Sequence, residues 1–318
     1  MAHMVETMAY AGEVPWHGLG VPVQNNLSPQ EMLDAANLNW EVEKQDLVAR
    51  HPSNAKLDQV IKGKKALVRT SDNSLLDVIG TDWNPVQNVE AFEFFQDFVR
   101  NGDMEMHTAG SLDDGKMVWA LAKVNDGFEL FNGDTVESYL LFSNPHQYGK
   151  AIDVRFTPIR VVCNNTLTLS LETTAKNSVK VNHKNVFNSE MVKEMLGVAH
   201  SKLENYKEMA EFLGSKRYTK ESITSYFDNV FPISFRGKGE AKKEMSNNAS
   251  RALQVLNTQP GATHAEGSFW QAFNAVTYLT DHELGRDANS RIKQSWFGYN
   301  QRLKTKALET AVKYAEAA

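Results

Sequence analysis

The spacing of the apolar residues changes near residue 186, and this change constrains the fold more than any other feature of the sequence. Before it, segments such as 40–48 and 117–124 have the alternating or continuous apolar pattern of β-strands. After it, apolar side chains in 189–213 and 267–281 recur at intervals of about 3.6 residues, as in amphipathic helices. Strands followed by helices predict an α+β fold with a mixed, mainly antiparallel sheet rather than a doubly wound α/β fold.

We therefore divide the chain into two regions that together form one compact unit. Residues 1–185 are a β-rich α+β region with an N-terminal arm, and residues 186–318 are a helical region packed on it. Pro158 lacks the N–H group that a strand ladder needs, so we expect a bend or a strand edge there that interrupts the strands 151–156 and 160–171. The predicted strands are 40–48, 66–70, 75–79, 104–107, 117–124, 128–131, 136–143, 151–156 and 160–171.

Local signals mark the ends of several elements. Ser28, Pro29 and Glu31 stand in the order of an N-cap, a first helical residue and a capping-box acid, which predicts a helix start. The Asp-Asp-Gly sequence at 113–115 predicts a turn between two strands. The predicted helices are 28–37, 88–100, 189–213, 219–231, 240–256, 267–281 and 289–317.

The chain has 318 residues and a single cysteine, Cys163. One cysteine excludes an intramolecular disulfide framework and a site built from several thiolates. We interpret this thiol as a small buried side chain on a strand. No apolar run reaches the roughly 18 residues that cross a bilayer, and the N-terminus lacks the pattern of a secretory signal. We expect a protein of the bacterial cytoplasm that has no membrane partner.

Charge is unevenly distributed along the chain. Residues 1–149 contain 10 Lys/Arg and 22 Asp/Glu, whereas residues 150–318 contain 24 Lys/Arg and 17 Asp/Glu. Such an asymmetry is typical of a face that binds a polyanion, and equally of two halves that pack on each other or join subunits. Motifs for nucleotide hydrolysis, dinucleotide binding and zinc proteases are absent from the sequence. We therefore expect no cofactor and no metal site.

The densest basic stretch, 150–184, is our candidate for nucleic-acid binding. Its cations could follow a phosphate backbone, and its neighbouring asparagines could contact phosphates or base edges. The asparagines could equally satisfy backbone groups in a turn. The candidate residues are Arg155, Arg160, Asn164, Asn165, Lys176, Lys180 and Lys184.

Four aromatic or imidazole side chains are candidates for base stacking or subunit contacts. Trp16 and His17 lie in a Gly-rich arm, and Trp270 and Trp296 lie in predicted helices. The alternative interpretation is that the indoles pack into the protein's own core.

Two polar residues of the helix 267–281, Asn274 and Asp281, share a helix face about two turns apart and form a candidate polar site. The alternative is a network of hydrogen bonds between helices.

Four segments together resemble one known family. They are 1–20 (MAHMVETMAYAGEVPWHGLG), 84–88 (NPVQN), 156–167 (FTPIRVVCNNTL) and 274–282 (NAVTYLTDH). In this order they are similar to the phage/plasmid-like protein family, which carries the domain of unknown function 932. Ser268 departs from that pattern, which usually has Thr there. The resemblance implies a gene of phages, plasmids and related elements, whose products often serve DNA replication, recombination or host takeover.

These observations predict a phage- or plasmid-encoded protein that binds single-stranded DNA and anneals it during recombination without ATP. Basic residues would hold one strand, and contacts between acidic and basic faces would join subunits into a homo-oligomer. Two alternatives stay open. One is a protein that binds and inhibits a host defence or replication factor. The other is an enzyme that acts on nucleotides without a familiar motif, although the residues favour a protein that is not an enzyme.

Overall fold

The computed structural model describes residues 5–12, 14–15, 18–160, 165–166, 178–184, 187–233 and 245–318. The chain divides into two compact units. The first comprises Met1–Asn125, Tyr139–Arg155 and Ser178–Gly197, and the second comprises Asp126–Ser138, Phe156–Asn177 and Val198–Ala318. The division into regions 1–185 and 186–318 stays a prediction about domain organisation.

The described residues form both strands and helices. The strands are β1 (Val5–Ala11), β2 (Val21–Val23), β3 (Val42–Ala49), β4 (Gln59–Arg69), β5 (Leu75–Gly80), β6 (Met104–Leu112), β7 (Met117–Glu129), β8 (Thr135–Pro145), β9 (Ile152–Arg160), β10 (Asn165–Thr166) and β11 (Ser178–Val181). The helices are α1 (Pro29–Ala35), α2 (Asn88–Glu93), α3 (Gln96–Arg100), α4 (Ser189–Ser215), α5 (Lys220–Val230), α6 (Asn247–Val255), α7 (Phe269–Tyr278), α8 (Ala288–Phe297) and α9 (Tyr299–Glu316). The predicted α+β class, with most helices in the C-terminal part, is confirmed.

The described strands form two sheets, and most of their residues belong to the first unit. In the main sheet the strand order is β10-β9-β8-β7-β6-β1-β2, and β11 also pairs with β9. The β1–β6, β6–β7 and β9–β11 pairs are antiparallel, whereas β1 and β2 are parallel. Strands β3, β4 and β5 form the second sheet, which is antiparallel throughout.

Two short-range predictions are confirmed in this unit. The Ser28 hydroxyl accepts a hydrogen bond from the Glu31 N–H, and the Glu31 carboxylate accepts one from the Ser28 N–H, so the capping box forms at the start of α1. Asp113, Asp114 and Gly115 all have positive φ, the conformation of a tight turn between β6 and β7.

The predicted helix 88–100 is broken into α2 and α3. Phe94 and Phe95 lie between them, and both are almost completely buried. Their ring centroids lie 5.3 and 6.1 Å from that of Phe142 on β8. Consecutive residues of one α-helix point about 100° apart, so a break lets both rings reach the same core.

The expected interruption at Pro158 is wrong, because β9 continues through this residue. In the described residues, β11 pairs with Ile152–Arg155 and β10 pairs with Ile159–Arg160. No described residue of β10 or β11 pairs with Pro158, so its missing N–H removes no hydrogen bond to either strand. The thiol of Cys163 lies outside the described residues.

The second unit is built around α7, whose residues Phe269–Thr277 are all buried. After α7 the chain makes a π-helical turn, Leu279–Glu283. The predicted helix 289–317 is divided at Gly298 into α8 and α9, because the Gln294 side chain accepts the Tyr299 N–H at 2.6 Å. Among the described residues, no helix combines the length and the apolar character needed to span a membrane.

Candidate nucleic-acid interface

The hairpin formed by β3 and β4 extends beyond the buried part of its sheet. Val48 pairs with Val60, and Ala49 pairs with Gln59, close to the hairpin end. Neighbouring residues of a strand point to opposite faces, and residues 59–64 are exposed without exception. Neither face of this part of the hairpin is therefore buried in the core.

The hairpin concentrates positive charge in an acidic part of the chain. Residues 44–65 contain six of the ten Lys/Arg of residues 1–149, against two Asp. The six cations are Lys44, Arg50, Lys56, Lys62, Lys64 and Lys65. Asp46 forms an ion pair with Lys65 at 2.6 Å, and Asp58 accepts a hydrogen bond from the His51 N–H. The exposed segment thus carries a net positive charge that favours an anionic partner.

Exposed apolar side chains lie beside these cations. Val48, Leu57, Val60 and Ile61 are 45, 53, 55 and 44% exposed. Val48 and Val60 are cross-strand partners, so their side chains lie next to each other on one face of the hairpin. Exposed apolar side chains that lie together beside charged ones are typical of a site of interaction.

The strand that begins the hairpin is fixed by the segment 84–88. The Gln87 side-chain amide donates to the Val42 carbonyl and accepts from the Val42 N–H, both at 2.9 Å. The Asn88 amide donates to the carbonyls of Leu38 and Trp40 at 3.0 and 3.3 Å. These bonds hold the chain just before β3, so the exposed hairpin has a rigid base.

His146 is bonded to Asn88 and so belongs to the group of residues that holds the start of the hairpin. Since the Asn88 amide nitrogen donates to two carbonyls, its Oδ1 is the acceptor for His146 Nε2 at 2.9 Å. His146 is fully buried, and burial, assisted by the nearby His183, lowers its pKa to about 3. The imidazole is therefore neutral at physiological pH, with the proton on Nε2.

The end of β4 is held by an arginine. Arg69 is almost buried and forms ion pairs with Asp72 and with Glu6, the latter at 2.6 Å. Its guanidinium lies 5.4 Å from the Trp40 ring centroid. The hydrogen bond with Asp72 is the main cause that raises the pKa of Arg69 above its usual value.

The basic stretch identified in the sequence is brought together only in part. In the β9–β11 pair, Lys180 lies opposite Asp153, and the Arg155 guanidinium contacts Asp153 at 3.0 Å. Lys180 and Lys184 are exposed, but Asp153 offsets part of the local charge. Arg160 and Asn165 are register partners in β9 and β10.

Four of the residues predicted to bind DNA or to stack on bases cannot be placed in the fold. Asn164, Lys176, Trp16 and His17 lie outside the described residues.

The stacking role expected for Trp270 and Trp296 is contradicted by their burial. Trp270 has no exposed surface, and its indole N–H donates to Asp134 Oδ2 at 3.2 Å. Trp296 is 5% exposed, and its ring contacts Phe297 edge to face. A base can stack only on an accessible ring face, so both indoles are core residues of the second unit.

Asn274 and Asp281 also belong to the core. The Asn274 amide donates to the Trp270 carbonyl at 2.8 Å, and Asp281 Oδ1 contacts Lys304 Nζ at 2.9 Å. These side chains are completely buried, and so is that of Lys304. The Asp281–Lys304 contact corresponds to the interhelical bonding of the alternative interpretation, whereas the Asn274 bond lies within α7. A substrate would reach these groups only if the core opened. No group of three or more metal-binding side chains occurs among the described residues.

The architecture is thus an α+β protein with an exposed basic hairpin and no recognisable catalytic constellation in its described part. Residues 75–307 match the family described as Domain of unknown function (DUF932). The match covers most of the chain, and the protein belongs to this family. No curated protein and no solved structure matches it. The hairpin 44–65 precedes the matched residues, so its role is argued from this chain alone.

Proposed function

We propose that this protein binds single-stranded DNA through the β3–β4 hairpin and anneals complementary strands without nucleotide hydrolysis. The observation that carries the proposal is the exposed hairpin 44–65, with six Lys/Arg against two Asp in an otherwise acidic part of the chain. Elsewhere in residues 1–149 there are four Lys/Arg and twenty Asp/Glu. A polyanion is therefore attracted to the hairpin and repelled by its acidic surroundings.

The apolar residues of the hairpin favour a single strand over a duplex. A duplex hides the faces of its bases, whereas a single strand exposes them between its phosphates. Exposed cations such as Lys62 can contact phosphates, while Val60 and Ile61 offer apolar surface to bases. In annealing, the strand must remain accessible to its complement, and a surface hairpin provides such access.

Further parts of the proposal follow the sequence-based expectations. We place the protein in the bacterial cytoplasm, encoded by a phage or plasmid and acting in DNA recombination. Several subunits together would hold one strand at several sites, so we propose a homo-oligomer that joins acidic and basic surfaces.

Fluorescence anisotropy of a labelled oligonucleotide at several salt concentrations tests the proposal. Each phosphate contact with a single strand contributes about 0.7 to the slope of log affinity against log salt. The double variant Lys56→Gln/Lys62→Gln should therefore reduce this slope by about 1.4. Lys220→Gln/Lys313→Gln removes the same charge from exposed helix positions and is the matched control.

Two further measurements complete the test, one with a second variant and one with a complementary strand. Lys180→Gln/Lys184→Gln tests the basic surface predicted from the sequence. If this variant reduced the salt slope more than the hairpin variant, the DNA-binding surface would be at β11 and the residues after it. A complementary strand added to the complex tests annealing directly. Absence of binding at low salt would overturn the proposal.

The acidic remainder of residues 1–149 favours a second candidate, inhibition of a host protein that binds DNA. Four Lys/Arg against twenty Asp/Glu give this part a charge that resembles that of DNA. This candidate predicts that host proteins captured on the immobilised chain are released by added DNA. The reason is that the DNA and the acidic part of this chain would compete for the same basic surface of the host protein. Capture that DNA does not affect would contradict it.

A further inference from the structure

Tyr148 is an exposed aromatic residue in the connection between β8 and β9. Its side chain is 54% exposed, and its backbone N–H donates to Asp77 Oδ2 at 2.8 Å. The Lys150 N–H closes the turn on the Gln147 carbonyl at 3.3 Å. The backbone of Tyr148 is therefore fixed to β5, although the ring itself is accessible.

A lysine of the hairpin lies over this ring. Lys64 Nζ is 5.2 Å from the ring centroid of Tyr148, within the range of a cation–π contact. In the β4–β5 register Lys64 lies opposite Gly80, which has no side chain and no atom within 4 Å of where its Cβ would be. The space beside Lys64 is therefore open, and more than half of the Tyr148 side chain is accessible.

We infer that Tyr148 stacks on one base of the bound strand while Lys64 contacts the phosphate next to that base. The inference rests on the proposed function and names the groups that would contact base and phosphate. Every base has an aromatic face, so a ring of this kind binds without strong sequence preference. The cation beside the ring supplies the phosphate contact that stacking alone lacks.

An acidic residue, Asp77, is bonded to the backbone of Tyr148. Its carboxylate accepts hydrogen bonds from the N–H groups of Val78 and Tyr148, at 2.7 and 2.8 Å. These two donors partly compensate its charge, which reduces repulsion of a phosphate at Lys64. The Tyr148 hydroxyl has no part in the stacking, so a phenylalanine ring should serve equally well.

Three variants of the full chain test the inference by anisotropy with the same labelled oligonucleotide. Loss of one stacked base weakens binding about 5- to 150-fold, and we expect this loss for Tyr148→Leu with the salt slope unchanged. Tyr148→Phe should bind like the unmodified protein. Lys64→Gln should reduce the salt slope by about 0.7. Tyr299→Leu is the matched control, because Tyr299 is 59% exposed in the second unit.

An abasic oligonucleotide separates stacking from other effects. Without bases, the unmodified protein and Tyr148→Leu should bind with equal affinity, because only phosphate contacts are left. If the unmodified protein binds the normal strand and Tyr148→Leu binds it equally well, this inference is overturned and the proposed function stands. If the unmodified protein binds no strand at all, the proposed function itself fails.

Discussion

Lys304 Nζ lies 2.9 Å from Asp281 Oδ1, and neither side chain has any exposed surface. Burial removes both charges from water, and each is tolerated because it compensates the other. Lys304→Met would leave the carboxylate buried without its partner charge. We expect the free energy of unfolding in urea to fall by about 3–5 kcal/mol.

A double variant distinguishes loss of compensation from loss of packing. Lys304→Met/Asp281→Leu removes both charges and should recover most of the stability lost by Lys304→Met alone. The exposed pair Arg100–Asp97, with side chains 71% and 48% exposed, is the control. Arg100→Gln should change stability by less than about 1 kcal/mol. If Lys304→Met also lowered the free energy of unfolding by less than about 1 kcal/mol, mutual compensation of the buried charges would not contribute to stability.

The buried His146 predicts a loss of stability in acid. Burial lowers its pKa to about 3 in the folded protein, whereas an unfolded histidine titrates near its ordinary value of about 6.5. Between these values the unfolded chain takes up a proton that the folded chain does not. The stability from this group is thus complete above about pH 6.5 and is lost at about 1.4 kcal/mol per pH unit as the pH falls toward 3.

Urea unfolding at a series of pH values measures this dependence. His146→Gln retains a side-chain N–H donor for Asn88 but cannot titrate, so its stability should decline less steeply in acid. His51→Gln replaces an exposed histidine and should follow the unmodified protein. Identical slopes for His146→Gln and the unmodified protein would show that another group causes the acid sensitivity.

Gly214 near the end of α4 predicts an unusual response to alanine. An ideal Cβ at this position would overlap the Phe131 ring, so the ring must move to admit a methyl group. Alanine normally stabilises a helix by about 1 kcal/mol relative to glycine. Here we expect Gly214→Ala to destabilise the protein in urea, because overpacking costs about 1–3 kcal/mol.

The control for this substitution is a glycine with free space around it. Gly80 has no atom within 4 Å of its ideal Cβ, and its φ is not positive. Gly80→Ala should leave the unfolding midpoint unchanged or raise it slightly. A stabilising effect of Gly214→Ala would mean that the Phe131 ring moves aside without cost.

Much of the fold could be predicted because its signals are local. The helix start at Ser28 and the turn at 113–115 depend on residues that are adjacent in the sequence. The breaks at Phe94 and Gly298 could not be predicted in this way. The first depends on a core shared with Phe142, and the second on a side-chain bond from Gln294.

The candidate interface was less accessible to sequence analysis. Residues 49–65 have no apolar alternation, because both faces of this part of the hairpin are exposed and no core selects one of them. Residues 1–149 taken together are acidic, with 22 Asp/Glu, so their net charge does not indicate the six cations of residues 44–65. Only the local charge of residues 44–65 indicates this basic cluster.

The polar residues of α7 show the opposite limitation. Helical spacing predicted a polar site on a face shared by Asn274 and Asp281, but Asp281 lies in the π-helical turn after α7 and both side chains are buried. Whether such a face meets solvent or another helix depends on tertiary packing, and the partner of Asp281 is 23 residues away at Lys304. The pattern identified the two polar residues but could not determine whether solvent reaches them.

The apolar residues of the hairpin predict an effect on binding without an effect on folding. Leu57 and Val60 are more than half exposed, so Leu57→Gln/Val60→Thr should change the free energy of unfolding by no more than about 0.5 kcal/mol. The same variant should bind the labelled strand more weakly at every salt concentration and leave the salt slope unchanged, because no charge is removed. Val21→Thr, at a residue 62% exposed outside the hairpin, should alter neither property. Unchanged affinity would show that phosphate contacts alone hold the strand, and a large loss of stability would show that these side chains support the fold instead.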